Sequence, residues 1–251
     1  MKAAVIVVNY GSSGLLASNL TRLSHADSEW SVVVVDCFSG SDERERLSRL
    51  AGQHGWKTVL LESNLGFGAG VNRGAEVALA DGAEVLLVVN PDAYLSIESA
   101  RVLVESAAAK PAAMIAPIVR RPDGSVWSAG MDVYLDDGSL AGIRHRHRHP
   151  GRARRMWISG ACFALSAQLW MRVGGFAEEY FLYWEDVDRC HRVVEVGGEL
   201  VIDESAVAVH DEGGTQNAVR PGQSRSELFY YYNIRKRLLY ARRNLSASEL
   251  R

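Results

Sequence analysis

Cysteine is scarce in this chain: three among 251 residues, Cys37, Cys162 and Cys190. They are widely spaced and form neither a CxxC pair nor a Cys/His set with zinc-ligand spacing. That argues against a disulfide framework or a structural zinc and points to a reduced, cytosolic compartment. A dominant charge sign is also missing. Lys and Arg number 28 against 30 Asp and Glu, a net charge of −2, so no global field draws the chain to nucleic acid or to an anionic membrane. Nucleic acid is not expected as a partner. Long apolar runs are absent too: MKAAVIVVNYGSSG holds only about six apolar residues before Asn9, too few for a signal peptide, and nowhere does the chain approach the roughly 18 needed to span a bilayer. The expectation is a soluble, cytoplasmic protein whose membrane contact, if any, is peripheral at the inner face.

What is present suits one α/β domain. The chain is 47% hydrophobic and 23% charged, enough to bury a full core. Ala3–Val8, Val32–Asp36, Thr58–Leu61 and Val85–Val89 read as buried strands separated by stretches that can each hold a helix. That alternation predicts parallel β-α-β units with right-handed crossovers, and such sheets gather ligands beyond the carboxyl ends of their strands. Asn9, Asp36, Asn90 and Asp92 stand at three of those ends.

The pattern changes after residue 117. Hairpins are expected with turns at Pro122-Asp123-Gly124 and Asp136-Asp137-Gly138. The basic stretch 143–155 reads as an exposed loop, 157–165 as a strand followed by a short helix ending near Gly174-Gly175, and Asp186–Val196 as a helix. Leu200–Asp203 and Ala206–Val209 read as extended pieces and 224–244 as a terminal helix. The organisation expected is one domain over 1–251, with a ligand-binding half at 1–117, a mixed half at 118–223 and a C-terminal helix at 224–251.

Five features could carry chemistry. NLGFGAGVNRG, 64–74, follows the third strand. Its spacing is Gly-x-Gly-x-Gly and it lies after the wrong strand for a dinucleotide fingerprint. It serves either as a turn with close helix packing or as a set of backbone N–H groups, with Asn72, facing an anion at a helix start. Asp36 is either a solvated turn residue or a hydrogen-bond acceptor for a base or ribose. Asn90-Pro91-Asp92 stops the fourth strand, and a carboxylate beside a bound diphosphate makes sense only with a hard divalent cation between them. In EEYFLYWEDVDRCHRV, 178–193, the acids Glu185, Asp186 and Asp188 either cap a helix start or supply a partly desolvated general base amid aromatic residues. His210 is either a structural histidine or, with Asp92 and diphosphate oxygens, a ligand of Mn²⁺ or Mg²⁺.

Together these segments resemble the nucleotide-sugar glycosyltransferases of family 2, which have the GT-A fold, and within them the rhamnosyltransferase-like branch. The resemblance is carried by VIVVNY, VVVVDCFSGSD, NLGFGAGVNRG, VNPDAYL, ISGACFALSAQLWMRVGGFAEEYFLYWEDVDRCHRV and LVIDESAVAVH, in family order over most of residues 3–210. It implies an α/β GT-A fold, with a Rossmann-like nucleotide-binding sheet and a mixed acceptor-side half, and an inverting transfer of a sugar from a nucleoside-diphosphate sugar to a hydroxyl acceptor. That acceptor could be a glycan, a lipid-linked molecule or a small molecule. It also implies a donor-binding set of Asn9, Asp36, Asn64, Gly66, Gly68, Asn72, Asn90 and Asp92, with Asp186 and Glu185 as catalytic carboxylates and Asp92 with His210 at Mn²⁺ or Mg²⁺. Asn90 occupies the first position of the family's DxD element, and Cys37 stands where the family usually has Asn. Thymidine-diphosphate-rhamnose is the first donor suggested, with uridine- and guanosine-linked donors open.

Two other functions fit parts of the pattern. A sugar-phosphate nucleotidyltransferase would carry its glycine loop after the first strand, where this chain has only NYGSSG. A non-catalytic nucleotide-sugar or carbohydrate-binding module would bind a nucleoside diphosphate without turnover. The basic segments 144–155 and 233–243 read either as exposed charge or as a surface for a lipid-linked or otherwise anionic acceptor.

Overall fold

The computed structural model describes residues 1–25, 29–211, 227–247 and 249. The first half is the alternation expected: β1 (Ala3–Asn9), α1 (Ser13–Asn19), β2 (Trp30–Asp36), α2 (Ser41–His54), β3 (Lys57–Leu60), α3 (Phe67–Ala80) and β4 (Val85–Val89). These four strands pair in parallel, and β1 and β2 run in register so that Asn9 lies opposite Asp36. Uninterrupted β-branched and aliphatic runs form the buried strands β1, β2 and β4, while β3 lies at the edge of the sheet and is more exposed.

The second half comprises β5 (Ala93–Leu95), α4 (Ile97–Ala109), β6 (Ala113–Arg120), β7 (Val126–Ser128), β8 (Met131–Tyr134), β9 (Leu140–Gly142), β10 (Arg154–Trp157), β11 (Cys162–Ser166), α5 (Ala167–Val173), α6 (Glu185–Glu195), β12 (Glu199–His210) and α7 (Glu227–Asn244). The main sheet has the order β3-β2-β1-β4-β11-β6-β12-β5, with β7 on β6, and a small second sheet has the order β10-β8-β9. In the main sheet β11 runs antiparallel to both β4 and β6. It thereby brings the chain back to the carboxyl end of β4.

Period-two alternation splits the core between the two faces of the sheet. Val5, Val7, Val32, Val34 and Leu87 pack with Leu16, Leu47 and Leu103 from α1, α2 and α4. Ala4, Ile6, Val33, Leu86 and Val88 pack with Val71, Ala75, Leu169 and Val193 from α3, α5 and α6. Serine side chains start two of the helices: Ser96 accepts from the Ser99 N–H at α4 and Ser166 from the Leu169 N–H at α5.

Three expectations are corrected. The stretch 143–155 is not a free loop. It forms a 3₁₀ turn at Ile143–Arg148 and enters β10, because Arg146 makes two 2.7 Å bonds to the fully buried Asp132 and Arg152 pairs with Asp136. The strand expected over 157–165 is divided, since Trp157 ends β10 in the small sheet and Cys162 begins β11 in the main one. The pieces 200–203 and 206–209 are one strand, β12, with an irregularity between Asp203 and Val207. Both expected hairpin turns form, with Gly124 and Gly138 at φ +83° and +67°. The start of the terminal helix expected at 224–226 lies outside the described residues.

Helix α3 lies tight on the sheet because its glycines lack side chains. A Cβ at Gly74 would sit 2.6 Å from Ile6 Cγ2 and 3.1 Å from Val35 Cγ2. Both neighbours are buried strand side chains with no room to retreat. Gly74→Ala is therefore expected to destabilise the fold by about 1–3 kcal/mol, read as a lower urea midpoint. An unchanged midpoint would show that the helix can lift off without cost.

Candidate active site

The carboxyl ends of β1, β2 and β4 open onto one edge of the sheet, and four loops from elsewhere in the chain converge there. At the end of β4 the Asn90 N–H donates to the Ala161 carbonyl at 2.8 Å. One residue earlier, the Gly160 N–H donates to Asp186 Oδ2 at 3.0 Å. Two successive backbone contacts therefore join the Asn-Pro-Asp turn to the acid at the start of α6. A Cβ on Gly160 would lie 3.2 Å from Phe67 Cε1, a tight approach, and 3.5 Å from Asp186 Cβ, an ordinary contact. Sequence reasoning passed over Gly160; its only signal was the Ser-Gly-Ala step before a buried strand.

The acids of α6 have separate environments. Asp188 is fully buried and accepts from Tyr180 Oη at 3.1 Å, Asn244 Nδ2 at 3.0 Å and Arg192 Nε at 2.8 Å. Its bonds are spent on structure. Asp186 keeps part of its surface open and accepts from the Gly160 and Val187 N–H groups. Burial raises its pKa above the ordinary carboxylate range, and these backbone bonds oppose the shift. Glu185 is buried, with Oε2 lacking a hydrogen-bond partner. Burial first, and then the neighbouring Asp186 charge, push its carboxyl up strongly. Of the pair, Asp186 ionises first and Glu185 holds its proton.

Asp92 and His210 meet across the junction of β5 and β12, with His210 Nε2 3.1 Å from Asp92 Oδ1 and both residues buried. Asn90 Oδ1 and His210 Nδ1 are buried without a hydrogen-bond partner. Among the described residues no group of three or more His, Cys, Asp or Glu gathers as a ready cation cage. The Asp92 carboxylate and the His210 imidazole are nevertheless donors of the types that suit a divalent cation sharing its remaining positions with ligand oxygens, and the unpartnered Asn90 amide oxygen, two residues before Asp92 in the chain, is a third of that kind.

Several residues expected to bind a ligand have hydrogen-bond partners within the protein. Asp36 and Asn9 are fully buried. Asp36 Oδ2 accepts from Arg44 Nε at 2.7 Å and Oδ1 from Asn9 Nδ2 at 3.4 Å, while Asn9 Oδ1 accepts from Ser12. The groups exposed at this corner are instead the rings of Tyr10 and Phe38, with the Arg44 guanidinium 4.6 Å over Phe38. Arg44 was not foreseen, because its link to Asp36 crosses from a helix to a strand end.

The glycine loop is likewise committed to packing. Asn64 Oδ1 accepts from the Gly66 N–H at 2.9 Å and the Phe67 N–H donates to the Phe181 carbonyl at 3.1 Å. Two donors expected to face an anion are thus satisfied within the protein. Gly66 has φ +89° and its missing Cβ makes room for the Phe181 backbone, while a Cβ on Gly68 would lie 2.8 Å from Phe176 Cβ. Asn72 spends both ends of its amide on the Phe176 backbone, at 3.0 and 2.7 Å. It clamps the Phe176 backbone.

A strand order with one antiparallel strand inserted beside the parallel set, and acids gathered at its carboxyl edge, is the GT-A arrangement of nucleotide-sugar glycosyltransferases. A mannosyltransferase from Pyrobaculum calidifontis, solved with GDP-Man and Mn²⁺, superposes with a TM-score of 0.62 over 98% of this chain and 65% of that one, at 17% identity. GalNAc-T7, solved with UDP, GalNAc and Mn²⁺, gives 0.62 over 85% of this chain at 14% identity. The chain spans less than two thirds of either solved protein, 45% of GalNAc-T7. The profile of glycosyl transferase family 2 matches residues 4–176, and the chain belongs to that family. It is 29% identical over 231 residues to the N-acetylglucosaminyl-diphospho-decaprenol L-rhamnosyltransferase of Mycobacterium tuberculosis, covering 82% of this chain and 75% of that protein.

The Glu185 environment makes a prediction that needs no substrate. The folded chain holds the Glu185 proton to higher pH than the unfolded chain does, so in the window above the ordinary glutamate range the native state binds more protons and stability falls as pH rises. Urea midpoints measured across that window should fall, and Glu185→Gln should flatten the slope. An equal slope in the variant would place the titration elsewhere.

Proposed function

We propose that this chain is an inverting glycosyltransferase that moves a sugar from a nucleoside-diphosphate sugar to an acceptor hydroxyl. The observation that carries the reading is the pair of backbone contacts, Asn90 to Ala161 and Gly160 to Asp186, that fix a partly open carboxylate beside the Asn-Pro-Asp turn. A displacement with inversion needs a base on one side of the anomeric carbon and charge neutralisation for the diphosphate on the other. Asp186 is positioned for the first task. Its carboxylate takes the acceptor proton as the acceptor oxygen bonds to the anomeric carbon and the bond to the diphosphate breaks. Glu185, protonated and buried behind it, keeps a second negative charge out of the base's surroundings.

Asp92 and His210 would hold Mn²⁺ or Mg²⁺, which when bound supplies positive charge to the departing diphosphate. Asp36 acts through Arg44: the buried carboxylate holds the part-exposed guanidinium over the exposed Phe38 ring, a flat cationic and aromatic corner suited to a nucleobase and ribose. The relative in M. tuberculosis, a rhamnosyltransferase whose acceptor is a diphospho-decaprenol, favours thymidine-diphosphate-rhamnose as donor and a lipid-linked acceptor. A sugar-phosphate nucleotidyltransferase is disfavoured by family membership.

Asp186→Asn nearly conserves volume and removes the base. It should leave nucleoside-diphosphate binding within about twofold by calorimetry and lower transfer at least about 100-fold. Near-wild-type transfer by that variant would remove Asp186 from the role. Asp92→Ala should weaken nucleoside-diphosphate binding in Mn²⁺ far more than in chelator, and His210→Ala should do so more mildly. Binding and transfer indifferent to EDTA would end the metal assignment for both.

A further inference from the structure

Helix α7 is apolar on two opposite sides, and only one of them is packed. Its inner side bears Phe229, Tyr232, Asn233, Lys236 and Tyr240, which meet Tyr183, Phe181, Trp184 and the Glu179 carbonyl. Its outer side carries Leu228, Tyr231, Ile234 and Leu238, exposed by 55, 54, 54 and 64%. Their separations of three and four residues set them in one stripe along the helix. Arg235 and Arg242 are exposed on the same side, at +4 from Tyr231 and from Leu238, and Arg235 NH1 lies 2.6 Å from Tyr231 Oη. The helix has a single acid, Glu227, in its first turn. Four large apolar side chains in a row, edged by arginines, are far more than the scattered exposed leucines of an ordinary surface.

We propose that the outer face of α7 docks on the surface of an anionic phospholipid bilayer, with Leu228, Tyr231, Ile234 and Leu238 in the interfacial layer and Arg235 and Arg242 on lipid phosphates. The chemistry of the face selects this occupant. In a two-fold contact with a second copy the same patch meets itself, setting the Arg235 and Arg242 of each copy against those of the other. Anionic headgroups complement them. No described helix is long and apolar enough to cross a membrane, so α7, about 27 Å long, lies in the plane of the interface. In the other basic segment Arg146, Arg152 and Arg155 are engaged with Asp132, Asp136 and Glu249, and the exposed Arg144 and Arg148 have no row of exposed apolar side chains beside them in the 3₁₀ turn.

The placement deepens the proposed function and rests on it for its purpose. The inner face of α7 covers the loop leading into Asp186, so that loop lies within about one helix diameter, some 10 Å, of the bilayer surface. This is a reach suited to an acceptor whose hydroxyl is carried just above the headgroups by a lipid anchor.

Co-sedimentation of the full chain with vesicles tests the docking without donor or acceptor. One set contains phosphatidylcholine with a third phosphatidylglycerol and the other phosphatidylcholine alone. The protein should pellet with the anionic vesicles only, and less so in about 0.5 M salt, where charges are screened beyond a few ångströms. Ile234→Ser with Leu238→Ser, and separately Arg235→Ser with Arg242→Ser, should each lower the partition coefficient at least about tenfold. Because all four side chains point away from the core, the melting temperature should stay at the wild-type value. Wild-type protein left in the supernatant with both vesicle types overturns the proposal. So does wild-type partitioning by the Ile234/Leu238 variant, or a concentration-dependent dimer in sedimentation velocity that this variant abolishes. Nucleoside-diphosphate binding measured in parallel without vesicles separates a failure of docking from a failure of the transferase reading.

Discussion

A side chain at residue 66 would collide with the Phe181 carbonyl, so the glycine loop after β3 and the aromatic loop before α6 can touch only because Gly66 has none. The contacts that lead to Asp186 start there. The Phe67 N–H then reaches the Phe181 carbonyl, Phe67 packs beside Gly160, and Gly160 in turn donates to Asp186. Residues separated by more than 100 positions are thereby placed by backbone groups, which have no rotamers to lose. A carboxylate fixed this way, Asp186, keeps its position more firmly than a side chain on a free loop would.

The aromatic loop bears a cost. Phe181, Tyr183 and Trp184 all have positive φ, 46°, 64° and 71°, a region that large L-residues avoid, and each such residue costs on the order of 1–3 kcal/mol. The conformation persists because the neighbours determine it. Trp184 donates to Asn233 at 3.0 Å, Phe181 stacks on Tyr232 and Tyr183 meets Phe229 edge-on. Tyr180 is held by the buried Asp188, whose other oxygen accepts from Arg192 while Arg192 ties down the Val173, Gly174 and Gly175 carbonyls. Helix α7 and the Asp188 network therefore supply the binding energy that stores strain immediately before Asp186.

The parallel half of the fold was legible because its strands are continuous β-branched runs whose burial needs no partner information. The hairpins were legible from their glycine turns. The antiparallel return was not, since the chain passes from the small sheet to the main one between Trp157 and Cys162 without a proline or charge to mark the step, and apolar periodicity simply continues. The basic run 143–155 misled for another reason: Asp132, the carboxylate that neutralises Arg146, lies in a different strand, and a sequence does not display cross-strand ion pairs. At the site, residue types and order were readable, but hydrogen-bond partners were not. Asn72 and Gly68 look like ligand groups in a glycine loop, yet the first clamps Phe176 and the second makes room for it. Asp36 ends β2 as the strand pattern has it, but its carboxylate is buried against Arg44, which comes from the following helix.

Helix α7 shows most clearly why such partners escape a one-dimensional reading. A helix packed on one side and solvated on the other announces itself by segregating apolar from charged residues. In α7 the aromatic residues that brace the strained loop and the aliphatic ones that face outward alternate around the circumference, so the pattern has little contrast. Low contrast is itself informative once the packed side is known: the inner side needs Phe229, Tyr232 and Tyr240 to hold Tyr183, Phe181 and Trp184, but nothing in the described protein needs Leu228, Ile234 or Leu238. Polar residues at those three positions would have left the brace intact. Their apolar character has no partner among the described residues, and it lies on the far side of the helix that braces the loop before Asp186.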